Sequence, residues 1–219
     1  MTALLVATTN QAKLAEYRLL LKPFGVEVRG LADIGALDGE APEESGTTFV
    51  ENALIKARFY FERRTMATLA DDGGLEVDAL CGAPGVHSHR WLDGTPLGQA
   101  SAPALLDRRL AEEVVRRLVG VEPARRTARL RVAVALILRQ GARPREYAAE
   151  GTLEGLIAER PLAEVRPGFP YRAVLYLPQR GCYFGELSEA QALALSPRAA
   201  ALKSLEPQLR QLTGNCILQ

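Results

Sequence analysis

The sequence of 219 residues contains few of the residues that build disulfide frameworks or zinc sites, and its charges of opposite sign nearly cancel. It has three widely spaced cysteines, Cys81, Cys182 and Cys216, and two histidines. An odd number of distant cysteines favours reduced thiols in a cytoplasmic protein over a disulfide framework or a zinc site. The net charge is +1 at pH 7, so bulk charge does not indicate a nucleic-acid-binding protein. An anionic ligand would need locally placed cations.

Long apolar stretches are missing as well. No run of 18 apolar residues occurs, which argues against a membrane-spanning helix. The opening MTALLVATTN lacks the basic region and the apolar length of a secretory signal, so we expect none. Hydrophobic residues make up 47% and charged residues 24% of the chain, which is typical of a soluble globular protein. The length suffices for one large domain or two small lobes.

Short apolar runs predict the strands. ALLVAT at 3–8 and RLRVAVALILR at 129–139 are apolar on both faces at their centres, so we expect buried strands, the second in the middle of a sheet. MATLA and YRAVLYLP predict two further strands. Because helical segments lie between these strands, the sequence predicts an α/β protein with a mixed sheet.

Capping patterns mark the predicted helices. Helices are expected at about 11–22, 49–64 and 101–119, and from Pro197 to about 212. The expected caps are Asn10, Thr48 with Glu51, Ser101, Ser188 with Gln191, and Ser196. The apolar stripe of the third helix is predicted to comprise Leu105, Leu106, Leu110, Val114 and Leu118.

The stretch ATLADDGGLEVDAL places Asp71 and Asp72 before two glycines inside an apolar run. Two interpretations are open. The carboxylates could end a strand and bind a hard cation such as Mg²⁺. Alternatively, the stretch could be an ordinary Asp-Gly turn between two strands.

Two lysines follow predicted helix starts. Lys13 lies three residues after Asn10, at a strand-to-helix junction whose free N–H groups favour an anion. Lys56 shares a helix face with Asn52, and Glu44 lies in the preceding loop. Each feature alone also fits a capped helix with a solvated face. Together, lysines and carboxylates at element ends suit a nucleoside triphosphate with a divalent metal.

Four stretches in this order and spacing resemble the inosine triphosphatase (Ham1) family: ATTNQAKLAEY, EESGTTFVENALIKAR, LADDGGLEVDAL and GAPGVHSHRW. The resemblance implies an elongated α/β fold, with a long mixed sheet, helices on both sides and a cleft between two lobes, as a single domain over residues 1–219. It also implies a homodimer that uses Mg²⁺ to cleave nucleoside triphosphates between the α and β phosphates. Deaminated purine nucleotides such as ITP, dITP and XTP would be favoured, and the role would be nucleotide-pool cleaning.

Carried over by position, the resemblance implies a role for each matching residue. Asp72 would accept the proton of the attacking water, and Lys13 and Lys56 would act with it on the phosphates. Glu44, with Glu43 as the competing loop acid, would bind the metal together with Asp71 and Asp72. The implied nucleotide-binding residues are Thr8, Thr9, Asn10, Lys13, Asn52, Lys56, Gly73, Phe169, Tyr171, Arg172, Ser196 and Arg198. Gly73 stands where the family usually has serine.

The half of the site that would recognise the base departs from the family. Phe169 and Tyr171 match a family stretch of Phe-Gly-Tyr/Trp-Asp-Pro and could stack on a base, but Pro170 replaces the glycine and Arg172 the aspartate. Further on, a family lysine matches Ala192, and the family's Ser-His-Arg matches Ser196, Pro197 and Arg198. Two other functions therefore stay open: a nucleotide-binding homologue without turnover, and a pyrophosphatase for a non-purine or modified nucleotide, as in Maf-like enzymes.

These departures predict a relaxed base preference. A site that hydrogen-bonds one base edge discriminates strongly, and losing those groups removes that discrimination. We expect kcat/KM for ITP and XTP to be similar to that for GTP and ATP in a steady-state comparison. A preference for ITP of about a hundredfold would contradict this expectation.

Overall fold

A computed structural model of the chain describes residues 3–35, 41–92, 102–140 and 143–214. Seven strands form one mixed sheet in the order β2-β1-β3-β4-β5-β6-β7. Their bounds are β1 Ala3–Val6, β2 Glu27–Arg29, β3 Thr68–Val77, β4 Thr127–Gln140, β5 Arg143–Ile157, β6 Leu175–Leu177 and β7 Cys182–Tyr183. Strand β1 is parallel to β2 and β3, while β6 is antiparallel to β5 and β7. The predicted α/β class with a mixed sheet is confirmed.

Six α-helices accompany the sheet in the described residues. They are α1 Gln11–Leu21, α2 Phe49–Arg64, α3 Pro103–Arg117, α4 Glu189–Ala194, α5 Pro197–Ser204 and α6 Glu206–Leu212. Within the described ranges, no helix combines the length and apolar character needed to cross a bilayer.

The predicted capping residues are confirmed at the start of three helices. Asn10 Oδ1 accepts hydrogen bonds from the N–H groups of Ala12 and Lys13, at 2.9 and 3.1 Å, and so caps α1. Thr48 with Glu51 and Ser188 with Gln191 form capping boxes at α2 and α4. Helix α3 begins at Pro103 after Ala102, and the predicted cap Ser101 lies outside the described residues.

The contacts divide the chain into two compact units. The first comprises Met1–Asp72, Val132–Gly151 and Arg198–Gln219. Its core is built from aliphatic side chains of β1, β3 and β4 and from one face each of α1, α5 and α6. The buried members are Leu4, Val6, Leu14, Tyr17, Leu21, Leu69, Val132, Val134, Leu136, Leu138, Ala201, Leu202, Leu205 and Leu209.

The second unit comprises Gly73–Arg131 and Thr152–Pro197. Helix α3 supplies much of its core, together with the later parts of β3 and β5 and with β6. The buried members are Leu75, Val77, Leu92, Leu110, Ala111, Val114, Leu118, Ala128, Ile157, Tyr171, Val174, Leu175, Leu177, Phe184 and Ala192. Each unit therefore buries its own apolar cluster.

Three local predictions are wrong. Strand β3 runs through the acidic pair and both glycines, so these residues neither end a strand nor form an Asp-Gly turn. Strand β3 lies between β1 and β4 in the sheet. Strand β4 is much longer than β1, so β3 can continue past the end of β1 beside β4. The start of YRAVLYLP is a 3₁₀ helix, Pro170–Ala173, because proline lacks an N–H and fixes φ for a helical turn. The last helix is divided between α5 and α6 at Leu205.

The stripe predicted on α3 provides a matched stability test. Leu110 is 1% exposed, whereas Leu105, which belongs to the same predicted apolar stripe, is 42% exposed. We expect Leu110→Ala to lower the free energy of unfolding by about 2–5 kcal/mol through lost burial and a cavity. Leu105→Ala should cost less than about 1 kcal/mol. Urea titrations of both variants measure this, and equal losses would place Leu105 in the core.

Candidate active site

The candidate site forms in the first unit, where β1 ends beside a strand that continues. Directly after β1, the Ala7 N–H donates to the Leu69 carbonyl of β3 at 2.8 Å. Beyond it the chain turns into α1, while β3 extends to Asp71 and Asp72. Because successive side chains of a strand point to opposite faces, the two adjacent carboxylates meet different partners.

Asp71 is held between two cations. Lys13 Nζ lies 3.3 Å from Asp71 Oδ2 and 3.4 Å from Oδ1. The Arg198 guanidinium of α5 donates to Asp71 Oδ2 through Nε and Nη2, at 3.0 and 2.9 Å. Arg198 Nη1 also lies 3.5 Å from Glu16 Oε2. None of these four residues is more than 8% exposed. They form a buried charge network that joins α1, β3 and α5.

Asp72 is held by α2. Asn52 Nδ2 donates to Asp72 Oδ2 at 3.1 Å, and Lys56 Nζ donates to Asp72 Oδ1 at 3.3 Å. Lys56 Nζ also lies 3.4 Å from Glu44 Oε1. Asn52 Oδ1 accepts the Gly46 N–H at 2.8 Å. Lys56 is therefore shared by two acids, one on β3 and one on the loop before α2.

The environments of the two aspartates drive their pKa values apart. Burial disfavours the Asp71 carboxylate, but the charges of Lys13 and Arg198 outweigh burial and lower its pKa. Burial raises the pKa of Asp72, with the Glu44 charge adding to the rise and Lys56 opposing it. Burial also lowers the pKa of Lys13, partly offset by Asp71. Neighbouring groups with diverging pKa values are typical of acid–base sites.

The residues predicted to work together therefore lie in one cluster of the first unit. Lys13 responds electrostatically to Lys56 and Asp72 as well as to Asp71, so the four charges are close in space. No group of three histidine, cysteine or acidic side chains that could hold a metal occurs in the described part of the chain. The metal roles of Glu44, Asp71 and Asp72 stay predictions.

The remaining predicted residues near α1 shape its start. Thr8 Oγ1 accepts the Asn10 N–H at 3.2 Å, and Asn10 caps the helix. Thr9 is exposed at this turn. Gly73 follows Asp72 within β3 and belongs to the second unit.

The residues predicted to contact a base lie in the second unit, apart from Arg198. Tyr171 belongs to that unit's core, and its hydroxyl donates to the Ser88 carbonyl. The Arg172 guanidinium carbon lies 3.9 Å from the centre of the Phe169 ring and 4.7 Å from that of Phe184. Ser196 is buried just before α5. Base stacking by Phe169 and Tyr171 stays a prediction.

Sequence reasoning missed Glu16. It is 7% exposed and contacts Arg198. A signal was present, because Glu16 follows Lys13 by three residues on α1, and side chains at this spacing share a helix face. Its partner lies 182 positions further along the chain, beyond the reach of local pattern analysis.

Comparisons with known proteins find relatives along nearly the whole chain. The model of the Ham1 family matches residues 4–208. A dITP/XTP pyrophosphatase of Geobacillus kaustophilus is 38% identical over 98% of this chain and 97% of that protein. One of Nitratidesulfovibrio vulgaris is 41% identical over 92% and 93%. A solved HAM1 protein from Coxiella burnetii has a TM-score of 0.78 and 31% identity, and covers 96% of this chain and 100% of that one.

A solved dITP/XTP pyrophosphatase from Mycobacterium abscessus has a TM-score of 0.68 and 34% identity, and covers 94% of this chain and 100% of that one. The family resemblance found in the sequence is thus confirmed, and it extends into the C-terminal part, where the base-recognition stretch departs from the family. Because the family model and these relatives extend over nearly the whole length, the chain belongs to the Ham1 family.

Proposed function

We propose that this Ham1-family chain is a Mg²⁺-dependent nucleoside triphosphate pyrophosphatase that cleans the nucleotide pool. It would cleave the bond between the α and β phosphates and release a nucleoside monophosphate and pyrophosphate. The observation that carries the proposal is the cluster in which Lys13 and Lys56 each face one of two adjacent buried aspartates. The relatives named dITP/XTP pyrophosphatase add support at the level of substrate class.

The triphosphate would bind through Lys13, Lys56 and the start of α1. Both ammonium groups now neutralise carboxylates, and phosphate oxygens would replace those contacts with charge-assisted hydrogen bonds. The positive end of the α1 dipole lies at the Thr8–Lys13 turn and favours an anion there, while the N–H groups of Ala12 and Lys13 donate to Asn10 Oδ1. The chain's net charge of +1 thus leaves phosphate binding to these local cations.

The carboxylates near Lys56 fit the metal that the resemblance implies. Glu44 and Asp72 approach one cation from two elements, and hard carboxylate oxygens suit Mg²⁺. Two protein carboxylates are enough for this ion, which keeps several waters and takes phosphate oxygens. Glu44 and Asp72 would hold it, with Asp71 as the further predicted ligand. When bound, Mg²⁺ would supply charge neutralisation on the triphosphate and activation of a water.

The proton transfer would fall to Asp72. A water oxygen would attack the α phosphorus while its proton passes to the Asp72 carboxylate. The bond from that phosphorus to the bridging oxygen would break, and the electron pair would leave with pyrophosphate. Asp71 suits this step less, because its oxygens are engaged by Lys13 and by the two nitrogens of Arg198. Asp71 would instead orient Lys13 before the triphosphate binds and stay paired with Arg198 afterwards.

The remaining proposals rest on the family resemblance. Phe169 and Tyr171 would contact the base, with a preference altered by Arg172. The protein would act in the cytoplasm as a homodimer.

Isotope labelling tests the bond that is cleaved. The protein with Mg²⁺ is incubated with a panel of standard, deaminated and modified nucleoside triphosphates in ¹⁸O-water. We expect pyrophosphate release with ¹⁸O in the monophosphate, because water attacks the α phosphorus. Label in the pyrophosphate would mean attack on the β phosphorus, and orthophosphate release would mean a different bond. Nucleotide binding without any product would favour a binding protein.

Replacing the proton acceptor tests the role of Asp72. Asp72→Asn keeps the shape of the side chain but removes the carboxylate, so we expect kcat to fall by about 10²–10⁴-fold. Glu27→Gln is the matched control, since it removes an exposed acid that pairs with Arg29 on the edge strand β2. The control should keep wild-type kinetics. Full turnover by Asp72→Asn would move the proton acceptor elsewhere.

A further inference from the structure

Asn52 occupies a position in α2 where a side-chain amide is unusual. It lies in the first turns of the helix and is fully buried, with 0% exposure. Burying an amide is unfavourable unless both its donor and its acceptor are satisfied. Its two contacts therefore indicate what the residue does.

Those contacts join two different parts of the first unit. The amide nitrogen donates to Asp72 Oδ2 at 3.1 Å, and the amide oxygen accepts the Gly46 N–H at 2.8 Å. Asp72 lies on β3, whereas Gly46 lies in the loop before α2. The side chain is thus a bridge from the strand to the loop.

The loop can reach Asn52 because residue 46 is glycine. A Cβ atom at Gly46 would lie 2.6 Å from Asn52 Oδ1 and 3.0 Å from the Asn52 backbone nitrogen. Real Cβ atoms essentially never approach a neighbour as closely as 2.6 Å. The close approach of loop and helix is therefore built into the sequence at this position.

The bridge completes a ring of contacts. Glu44, two residues before Gly46, contacts Lys56 at 3.4 Å, and Lys56 contacts Asp72 at 3.3 Å. Lys56 is the member of this ring that would turn towards a phosphate when substrate binds. Once it does so, the Asn52 bridge is the contact of the ring that still joins Asp72 to the loop carrying Glu44.

We propose that Asn52 is a positioning residue that holds Asp72 and the Glu44 loop in their working arrangement while the substrate engages Lys56. The inference rests on the proposed function and assigns Asn52 a role through other residues instead of direct contact with the nucleotide. Small displacements of reacting groups reduce rates strongly, so the role should appear in kcat more than in KM.

A control variant exists in the same turn. Glu51 fastens the same segment from its exposed side, since its Oε2 accepts the N–H groups of Thr47 and Thr48 at 2.7 and 3.1 Å. Glu51→Ala should therefore weaken the start of α2 without touching Asp72. Both Asn52→Ala and Glu51→Ala should lower Tm by a few degrees, roughly 2–4 °C for each kcal/mol lost.

The two variants should differ in kinetics. We expect Asn52→Ala to lower kcat by about ten- to a hundredfold with a nearly unchanged KM, and Glu51→Ala to keep the wild-type kcat. Asn52→Asp retains an acceptor for Gly46 but sets a carboxylate against Asp72, so its kcat should be lower still.

Hydrogen exchange of the Gly46 amide gives a readout that does not need turnover. Exchange should accelerate in Asn52→Ala and stay slow in Asn52→Asp, which keeps the acceptor. Unchanged exchange in Asn52→Ala, or equal kcat losses in the Asn52→Ala and Glu51→Ala proteins, would overturn the proposal. A wild-type protein that releases no pyrophosphate would instead refute the proposed function, while the exchange measurement would still decide whether the bridge exists.

Discussion

The buried carboxylate of Asp71 is the charge on which the rest of the candidate site depends. Lys13 from α1 and Arg198 from α5 both contact it, so one acid on β3 fixes two helices that are distant in sequence. Removing one partner of a buried ion pair leaves an uncompensated charge, which typically costs about 3–5 kcal/mol. The site and the packing of the first unit are therefore maintained by the same interaction, and Glu16 extends it by a second contact with Arg198.

The difference between the two aspartates follows from the geometry of a strand. Adjacent residues face opposite ways, so Asp71 meets α1 and α5 while Asp72 meets α2. One carboxylate is saturated by cations and is fixed in its ionised form. The other shares a single lysine with Glu44 and is left with weaker compensation. Two adjacent aspartates therefore differ in role: Asp71 anchors two helices, and Asp72 is the one to which the proposed proton transfer is assigned.

Local sequence information was sufficient for some features and insufficient for others. The caps at Asn10 and Thr48 were predictable because every participating group lies within four residues, and so was the shared face of Asn52 and Lys56. The continuation of β3 through two glycines was not, because it depends on pairing with β4 rather than on turn propensity. Glu16 was missed for a similar reason, since its partner is far along the chain. The reaction was predicted from the family resemblance and not from the periodicity of the sequence.

The stacking of Arg172 has a consequence for the residues that position 172 can accept. Its guanidinium carbon lies 3.9 Å from the ring centre of Phe169 and 4.7 Å from that of Phe184, and an aromatic face attracts a cation and repels an anion. A single Arg172→Asp substitution would set a carboxylate against two aromatic faces. An acidic side chain would therefore fit position 172 only together with changes at the two aromatic positions beside it.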